Sequence, residues 1–251
     1  MKAVFLCAGY GTRLYPLTID RPKALLEIAG APLLNHLIAK LKMIRGLNEI
    51  ILVSNSKFYQ SFCDWKQSLS VSAQVHVIDD GTTSNENRLG AIRDLKLALD
   101  ERRVKDDVLV LASDNLFDAD ITSFVSYAEQ KNAPAAVGVF DVLDLLMASK
   151  YGIVKTDAAG QVTDFFEKPK DPPSTLASMG IYYLKANTLP FIAEYLAENK
   201  NPDAPGYYMD WLSKKTRLYA FRFLGKWFDI GDVKSYEAAN TYFKQIAPHS
   251  N

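Results

Sequence analysis

The stretch Leu6-Cys7-Ala8-Gly9-Tyr10-Gly11-Thr12-Arg13-Leu14, followed by Pro16-Leu17-Thr18 and Arg21-Pro22-Lys23, gathers groups suited to binding phosphate. Gly9 and Gly11 let the main chain approach a ligand closely. Successive N–H groups in such a loop form an anion-binding nest. Arg13 adds a fork of donors and Lys23 a point charge on a flexible stem. Cations so placed can neutralise negative charge on a bound phosphate group. Two familiar phosphate loops are excluded, because Leu14 stands where a dinucleotide fingerprint needs its third glycine and no Gly-Lys-Ser/Thr ending makes a P-loop. A tight turn with solvated cations is the bland alternative. The presence together of Arg13, Pro16-Leu17-Thr18 and Pro22-Lys23 favours the ligand-binding reading.

Further charged groups stand out by context. Asp114 follows the apolar run 108–111, at the carboxyl end of an expected strand, where α/β folds place their ligands. Asp229 lies in Lys226-Trp227-Phe228-Asp229-Ile230-Gly231-Asp232, an acid between apolar neighbours. Read alone, each serves equally well as a turn or capping residue. Glu167-Lys168, before Pro169, could offer an acceptor for hydroxyls and a cation for phosphate, but alone it reads as an exposed charge pair.

These groups need a frame. Short apolar runs at 4–7, 49–53, 75–78 and 108–111 alternate with helical patterns at 32–44, 58–68 and 89–100. That alternation predicts an α/β fold with a mixed, mostly parallel sheet. From about residue 135 strand-like pieces follow with fewer helices between them (135–140, 152–155, 162–166, 180–184, 218–222). A final helix is expected at 233–246, with a frayed tail. Segments 171–174 and 199–206 read as Pro-rich loops. The whole is expected to be one domain, 1–251, made of two halves at about 1–134 and about 135–251.

Composition narrows the function. Lys plus Arg and Asp plus Glu each number 29, which leaves no basic footprint for nucleic acid or an anionic membrane. Cys7 and Cys63 are far apart, and His36, His76 and His249 are scattered, which argues against a disulfide framework or a zinc site. No signal peptide is legible, and no apolar run reaches the roughly 20 residues that span a bilayer. A cytoplasmic protein is expected.

The run from Leu6 to Lys23 resembles the signature of the sugar-1-phosphate nucleotidylyltransferases, roughly L-A-G/A-G-x-G-T-R-L-x-P-L-T and then P-K, with Cys7 departing from the usual Ala or Gly. Cys7 reads as packing. Ser113-Asp114-Asn115-Leu116-Phe117 resembles the family's G-D-N-x-F, with Ser113 for Gly, and Trp227 to Gly231 resembles its W-x-D-x-G. Tyr151-Gly152-Ile153-Val154, Glu167-Lys168-Pro169 and Gly180-Ile181-Tyr182 match its Y-G-x-V, E-K-P and G-x-Y. The resemblance implies a Rossmann-like fold and attack by an acceptor phosphate on the NTP α-phosphorus. It implies Arg13 and Lys23 as catalytic cations and Leu6, Ala8, Gly9, Gly11 and Thr12 as the nucleotide's seat. It implies Asp114 and Asp229 as ligands of Mg²⁺. Gly152, Glu167, Lys168, Ser178 and Gly180 would form the acceptor pocket, Glu167 on sugar hydroxyls and Lys168 on the phosphate.

The base-reading region departs from the pattern. In Asn85-Glu86-Asn87-Arg88-Leu89-Gly90, Asn87 takes the place of the family's glycine by position, so Asn87 is a candidate for base or ribose and Arg88 for a phosphate; a polar loop with an N-cap is as good a reading. The base stays open. Related short enzymes activate phosphocholine or an inositol phosphate with CTP, and a choline pocket would need an aromatic cage of the kind Tyr182, Tyr183, Tyr207, Tyr208 and Trp211 could supply. A sugar 1-phosphate ranks first. A silent regulatory homologue is the second class, opposed by the presence of Arg13, Lys23, Asp114 and Asp229 together. A dinucleotide-dependent oxidoreductase fails for want of the third glycine and of an acid ending the second strand. Family habit points to a homodimer.

Overall fold

The computed structural model describes residues 1–246 of the 251-residue chain. The tail from 247 and His249 lie outside the described residues. The first part runs β1 (Lys2–Leu6), β2 (Glu27–Ile28), β3 (Ala31–Pro32), α1 (Leu33–Leu41), β4 (Glu49–Ser54), α2 (Tyr59–Gln67), β5 (Gln74–Asp79), α3 (Ala91–Glu101) and β6 (Val108–Ala112). Then come β7 (Asn115–Phe117), α4 (Ile121–Gln130), β8 (Ala135–Asp141), α5 (Leu145–Ala148), β9 (Gly152–Thr156), β10 (Val162–Glu167) and β11 (Leu176–Leu184). The chain continues through α6 (Pro190–Ala197), α7 (Pro205–Lys215), β12 (Leu218–Phe223), β13 (Trp227–Asp229) and α8 (Val233–Ile246).

The mixed α/β sheet expected from the sequence is present. Its order is β10-β9-β11-β6-β1-β4-β5, with β8 on β11 and β12 on β8. Strands β6, β1, β4 and β5 run parallel, and β11 pairs antiparallel with β6. Side chains alternate across this sheet, as a period of two requires. Ala3 and Phe5 of β1, Ile50 and Leu52 of β4, and Leu109 and Leu111 of β6 enter one core with helices α1, α2, α4 and α8. Val4, Ile51, Val53, Val108 and Val110 enter the other, with α3, α6 and α7. Two apolar layers therefore sandwich the sheet. Helix α1 buries Leu33, Leu34, Leu37, Ile38 and Leu41, the stripe its sequence announces.

Several boundaries differ from expectation. Helix α3 starts at Ala91 because Gly90, at φ 91°, cannot be helical. Helices α4 and α6 fall in stretches given no helix. Helix α7 begins inside the expected loop 199–206, with Pro205 at its first turn, where a missing N–H costs nothing. Strand β11 starts at Leu176 and bulges between Ser178 and Tyr182, so its apolar run looks shorter in sequence than the strand is.

Candidate active site

The loop after β1 is fixed by hydrogen bonds that leave its ligand-facing amides free. Cys7 N–H donates to the Val53 carbonyl (2.9 Å), and Asn55 Nδ2 donates to the Ala8 carbonyl (2.9 Å). The chain turns at Gly11, φ 62°, where a Cβ would stand 3.3 Å from Thr18 Cγ2. Thr18 is fully buried, and its hydroxyl donates to the Gly11 carbonyl at 2.8 Å. Pro16-Leu17-Thr18 thus supports the glycine turn from below. Cys7 is buried, and burial pushes its thiol up to about 12, so it stays protonated and acts as packing.

Asp114 sits just past β6. Ser113 Oγ donates to the Leu6 carbonyl (2.8 Å), tying this strand end to the start of the glycine loop. Lys23 Nζ lies 2.7 Å from Asp114 Oδ2 and donates also to the Ile230 carbonyl at 2.9 Å. The antiparallel ribbon of β7 and β13 sets Asn115 opposite Asp229. Ile230 N–H donates to the Asp114 carbonyl (2.9 Å), while Trp227 Nε1 holds Asn115 Oδ1 at 2.7 Å. The two acids, 115 residues apart in sequence (229 − 114), are thereby brought side by side. Burial alone would raise the Asp114 pKa; the Lys23 ammonium outweighs it and the net shift is downward. Asp229 is raised, by burial and then by the Asp114 charge, with Lys23 and Arg13 opposing. A Cβ at Gly231 would lie 3.6 Å from both Arg13 Nη2 and Asp229 Oδ2, which places the guanidinium beside this pair.

Two clefts meet here. One, of about 360 Å³, is lined by the glycine loop, Lys23 and Asp114. The other, of about 650 Å³, is lined by Gly152, Glu167, Lys168, Ser178, Gly180 and Asp229. Arg13, Asp114 and Gly231 line both. The second cleft is carved by glycines. At Gly180, φ 68°, a Cβ would stand 2.7 Å from Ala112 Cβ; at Gly206 it would be 1.8 Å from Glu167 Oε2. The Glu167 carboxylate therefore occupies the space above the first turn of α7. It is largely buried, with burial raising its pKa and the Lys168 charge lowering it. Lys168 is exposed at the rim, 3.9 Å from Glu167.

Asn87 is not brought to the first cleft. It is exposed, and its Oδ1 accepts from the N–H groups of Thr83 (3.3 Å) and Ser84 (3.0 Å) in a capping box. The residues of this segment that do line the cleft are Asn85, Arg88, Gly90 and Ala91. Gly90, at φ 91°, packs so closely that a Cβ there would approach the Pro202 carbonyl to 2.8 Å. Arg88 is at the cleft but forks onto Asp203 at 2.7 and 2.9 Å. Asp203 and Gly206 line the clefts without standing out in the sequence, whereas a glycine just before a helix is the signal for Gly90. Of the aromatic residues weighed for a choline cage, Tyr182 alone lines the second cleft, whereas Tyr208 and Trp211 stack on one another in the core and meet Tyr195 edge-on.

The geometry, a glycine-loop anion site joined to a second cleft by two carboxylates and an arginine, is that of a phosphoryl-transfer centre. Comparison with known proteins agrees. The family model for "Nucleotidyl transferase" matches residues 2–245. The chain belongs to the nucleotidyl transferase family. The UTP–glucose-1-phosphate uridylyltransferase AglF of Haloferax volcanii is 30% identical over 184 residues, covering 72% of this chain and 71% of that protein. The bifunctional protein GlmU of Methanococcus vannielii is 31% identical over 261 residues, covering 99% of this chain and 56% of GlmU. A UDP-glucose pyrophosphorylase solved with UDP-glucose superposes with a TM-score of 0.81 at 25% identity, over 97% of this chain and 98% of that one. AglF acts on glucose 1-phosphate by name. This chain thus spans much of AglF but little more than half of GlmU.

Among the described residues no group of three or more His, Cys, Asp or Glu could hold a metal ion, and no helix is long and apolar enough to cross a membrane. A pair of carboxylates remains, which suits a hard cation that takes its other oxygens from water and substrate phosphates. Burial is the first cause of the raised Asp229 and the Asp114 charge the second, and a divalent cation would relieve that repulsion.

Proposed function

We propose that the chain is a nucleotidylyltransferase joining an NTP to a sugar 1-phosphate, giving a nucleotide sugar and pyrophosphate, and that residues 1–251 act as one domain. The acceptor half lends Asp203, Pro205 and Gly231 to the nucleotide cleft. The observation that carries the reading is the junction of the two clefts at Arg13, Asp114 and Gly231, with Asp229 alongside. The NTP phosphates lie over the loop amides from Gly9 to Arg13. An acceptor phosphate oxygen bonds to the α-phosphorus as the bond to the bridging oxygen of the β-phosphate breaks, the electron pair leaving on pyrophosphate. Arg13 and Lys23 counter the charge that builds on the leaving group. Mg²⁺ held by Asp114 and Asp229 would supply charge neutralisation and a template for the phosphates. Glu167 accepts hydrogen bonds from acceptor hydroxyls, and Lys168 attracts the acceptor phosphate.

Pyrophosphate release tests this. ATP, CTP, GTP, UTP and dTTP are each paired with glucose 1-phosphate, mannose 1-phosphate, N-acetylglucosamine 1-phosphate and phosphocholine, with Mg²⁺ or EDTA. Release with at least one sugar 1-phosphate, abolished by EDTA, is expected. Release with phosphocholine alone replaces the acceptor, and release in no combination overturns the enzyme reading.

A further inference from the structure

A hydrogen-bonded chain runs from the glycine loop into the protein behind the nucleotide cleft. Tyr10, buried between Gly9 and Gly11, donates its hydroxyl proton to Thr82 Oγ1 (3.1 Å). Thr82, also buried, donates from its hydroxyl and its N–H to Asp80 Oδ1, both at 2.7 Å. Asp80 follows β5, and its N–H is held by the Ser54 carbonyl of β4 at 2.8 Å. Its second oxygen, Oδ2, is buried and receives no N–H or O–H. Asp94, in the first turn of α3, is 5% exposed and lines the nucleotide cleft, and its Oδ1 is likewise buried without a donor. Each carboxyl group acts on the other's titration, so the two buried oxygens without donors belong to neighbouring acids.

Two neighbouring buried carboxylates, each with one oxygen lacking a donor, would cost far more than one proton placed between them. A shared proton satisfies both orphaned oxygens at once. We propose that Asp80 and Asp94 share one proton and, through Thr82 and Tyr10, hold the glycine loop in the shape that receives the NTP, so that Asp94 is a positioning residue for nucleotide binding. The nucleotide part of this inference rests on the function proposed above; the shared proton does not.

The surroundings agree. Burial first, then the Asp80 charge and contact, then Asp203 push the Asp94 acid up to about 8. Asp79, beside Asp80, pushes in the same direction, and Asp79 and Glu86 both act on Tyr10. Cys7, facing Asp94 from the end of β1, stays neutral at about 12, and the Tyr10 phenol is raised as well. Arg88 is taken up by Asp203. Among the described groups acting on Asp94, then, each resolved influence favours the proton. Once the proton leaves, two buried anions repel across the gap between the end of β5 and α3, and the loop loses its rear support.

The pair can be read directly and through catalysis. In the ligand-free protein, infrared spectroscopy should show a protonated carboxylic carbonyl band at neutral pH that disappears in alkali and is missing in Asp94→Asn. No such band in the wild type overturns the shared proton, whatever the enzyme's substrate. In turnover, KM for the NTP should rise about tenfold from pH 7 to pH 9 as the protonated fraction falls across a pKa near 8, with kcat changing less. Asp94→Asn, whose amide donates to Asp80 without a titrating proton, should flatten that rise. Tyr10→Phe should raise KM at both pH values and keep the infrared band. A KM rise surviving in Asp94→Asn, or a Tyr10→Phe enzyme with wild-type KM, would remove the link from the acid pair to the loop.

Discussion

In the glycine-loop cleft the groups that face a ligand are largely main chain, held from behind by buried partners such as Thr18 and Asn55. In the second cleft they are side chains, chiefly Glu167 and Lys168, and the supporting residues are glycines that make room for them. A wall of amides suits what every NTP shares, the triphosphate. A wall of side chains, with Glu167 held in a largely buried place, suits the hydroxyl pattern of one acceptor. Changes to the loop or the junction should therefore damage turnover with every substrate, and changes around Glu167 should act on the acceptor alone.

The largest effect is expected at the junction. Asp114→Asn keeps the shape but removes the charge facing Lys23, and kcat should fall on the order of 10³-fold with a weakened Mg²⁺ titration. An unchanged metal titration would take Asp114 out of the ligand set. Next, Arg13→Ala should lower kcat on the order of 10²-fold while leaving acceptor binding, followed by calorimetry, close to wild type. An Arg13→Ala enzyme that loses acceptor affinity and keeps its turnover would blur the division between the clefts.

How much of this the sequence carries follows from how each part is built. The glycine loop is one continuous stretch, so its turn, its cations and its supporting Thr18 stand in the order in which they act. Asp114, after an apolar run, and Asp229, between apolar neighbours, stand out by context and are singled out by the family's motifs, although only the β7–β13 ribbon reveals that they meet. The base-facing rim is harder. A single turn of 3-10 helix over Asn85–Asn87 keeps Asn87 in its own capping box, while Asn85, Arg88 and Gly90 line the cleft. Gly206 was hidden for another reason: α7 starts at a proline in a polar stretch, and the Glu167 carboxylate above it arrives from a strand nearly 40 residues earlier (206 − 167).

That hidden contact gives a sharper test of the acceptor cleft than removing Glu167 itself. Gly206→Ala puts a methyl group where Glu167 Oε2 stands, and the carboxylate must swing away. Loss of one well-aligned hydrogen bond to a charged group corresponds to roughly 1.5–3 kcal/mol, so KM for the acceptor should rise on the order of tenfold or more. KM for the NTP should not move. Alanine is also the better helix former, by about 1 kcal/mol, which sets stability against function: the melting temperature should hold or rise while acceptor affinity falls. A fall in both would mean that α7 itself shifts.

The smallest effect separates the clefts by pH. Burial raises the Glu167 acid above the ordinary glutamate range, with Lys168 only partly opposing it. Glu167 accepts from hydroxyls as the carboxylate, so acceptor kcat/KM should decline as pH falls through that raised value, at a higher pH than an exposed glutamate would give. The stability consequence has the opposite sense. The fold holds this proton more tightly than the unfolded chain does, so the contribution is complete below the unfolded pKa and is lost as pH rises through the folded one. Glu167→Gln should remove the part of the acid limb seen when acceptor is varied and leave the limb seen when NTP is varied. If both limbs survive unchanged, the acid dependence belongs to the Asp114–Asp229 junction, and the acceptor cleft contributes no titrating group of its own.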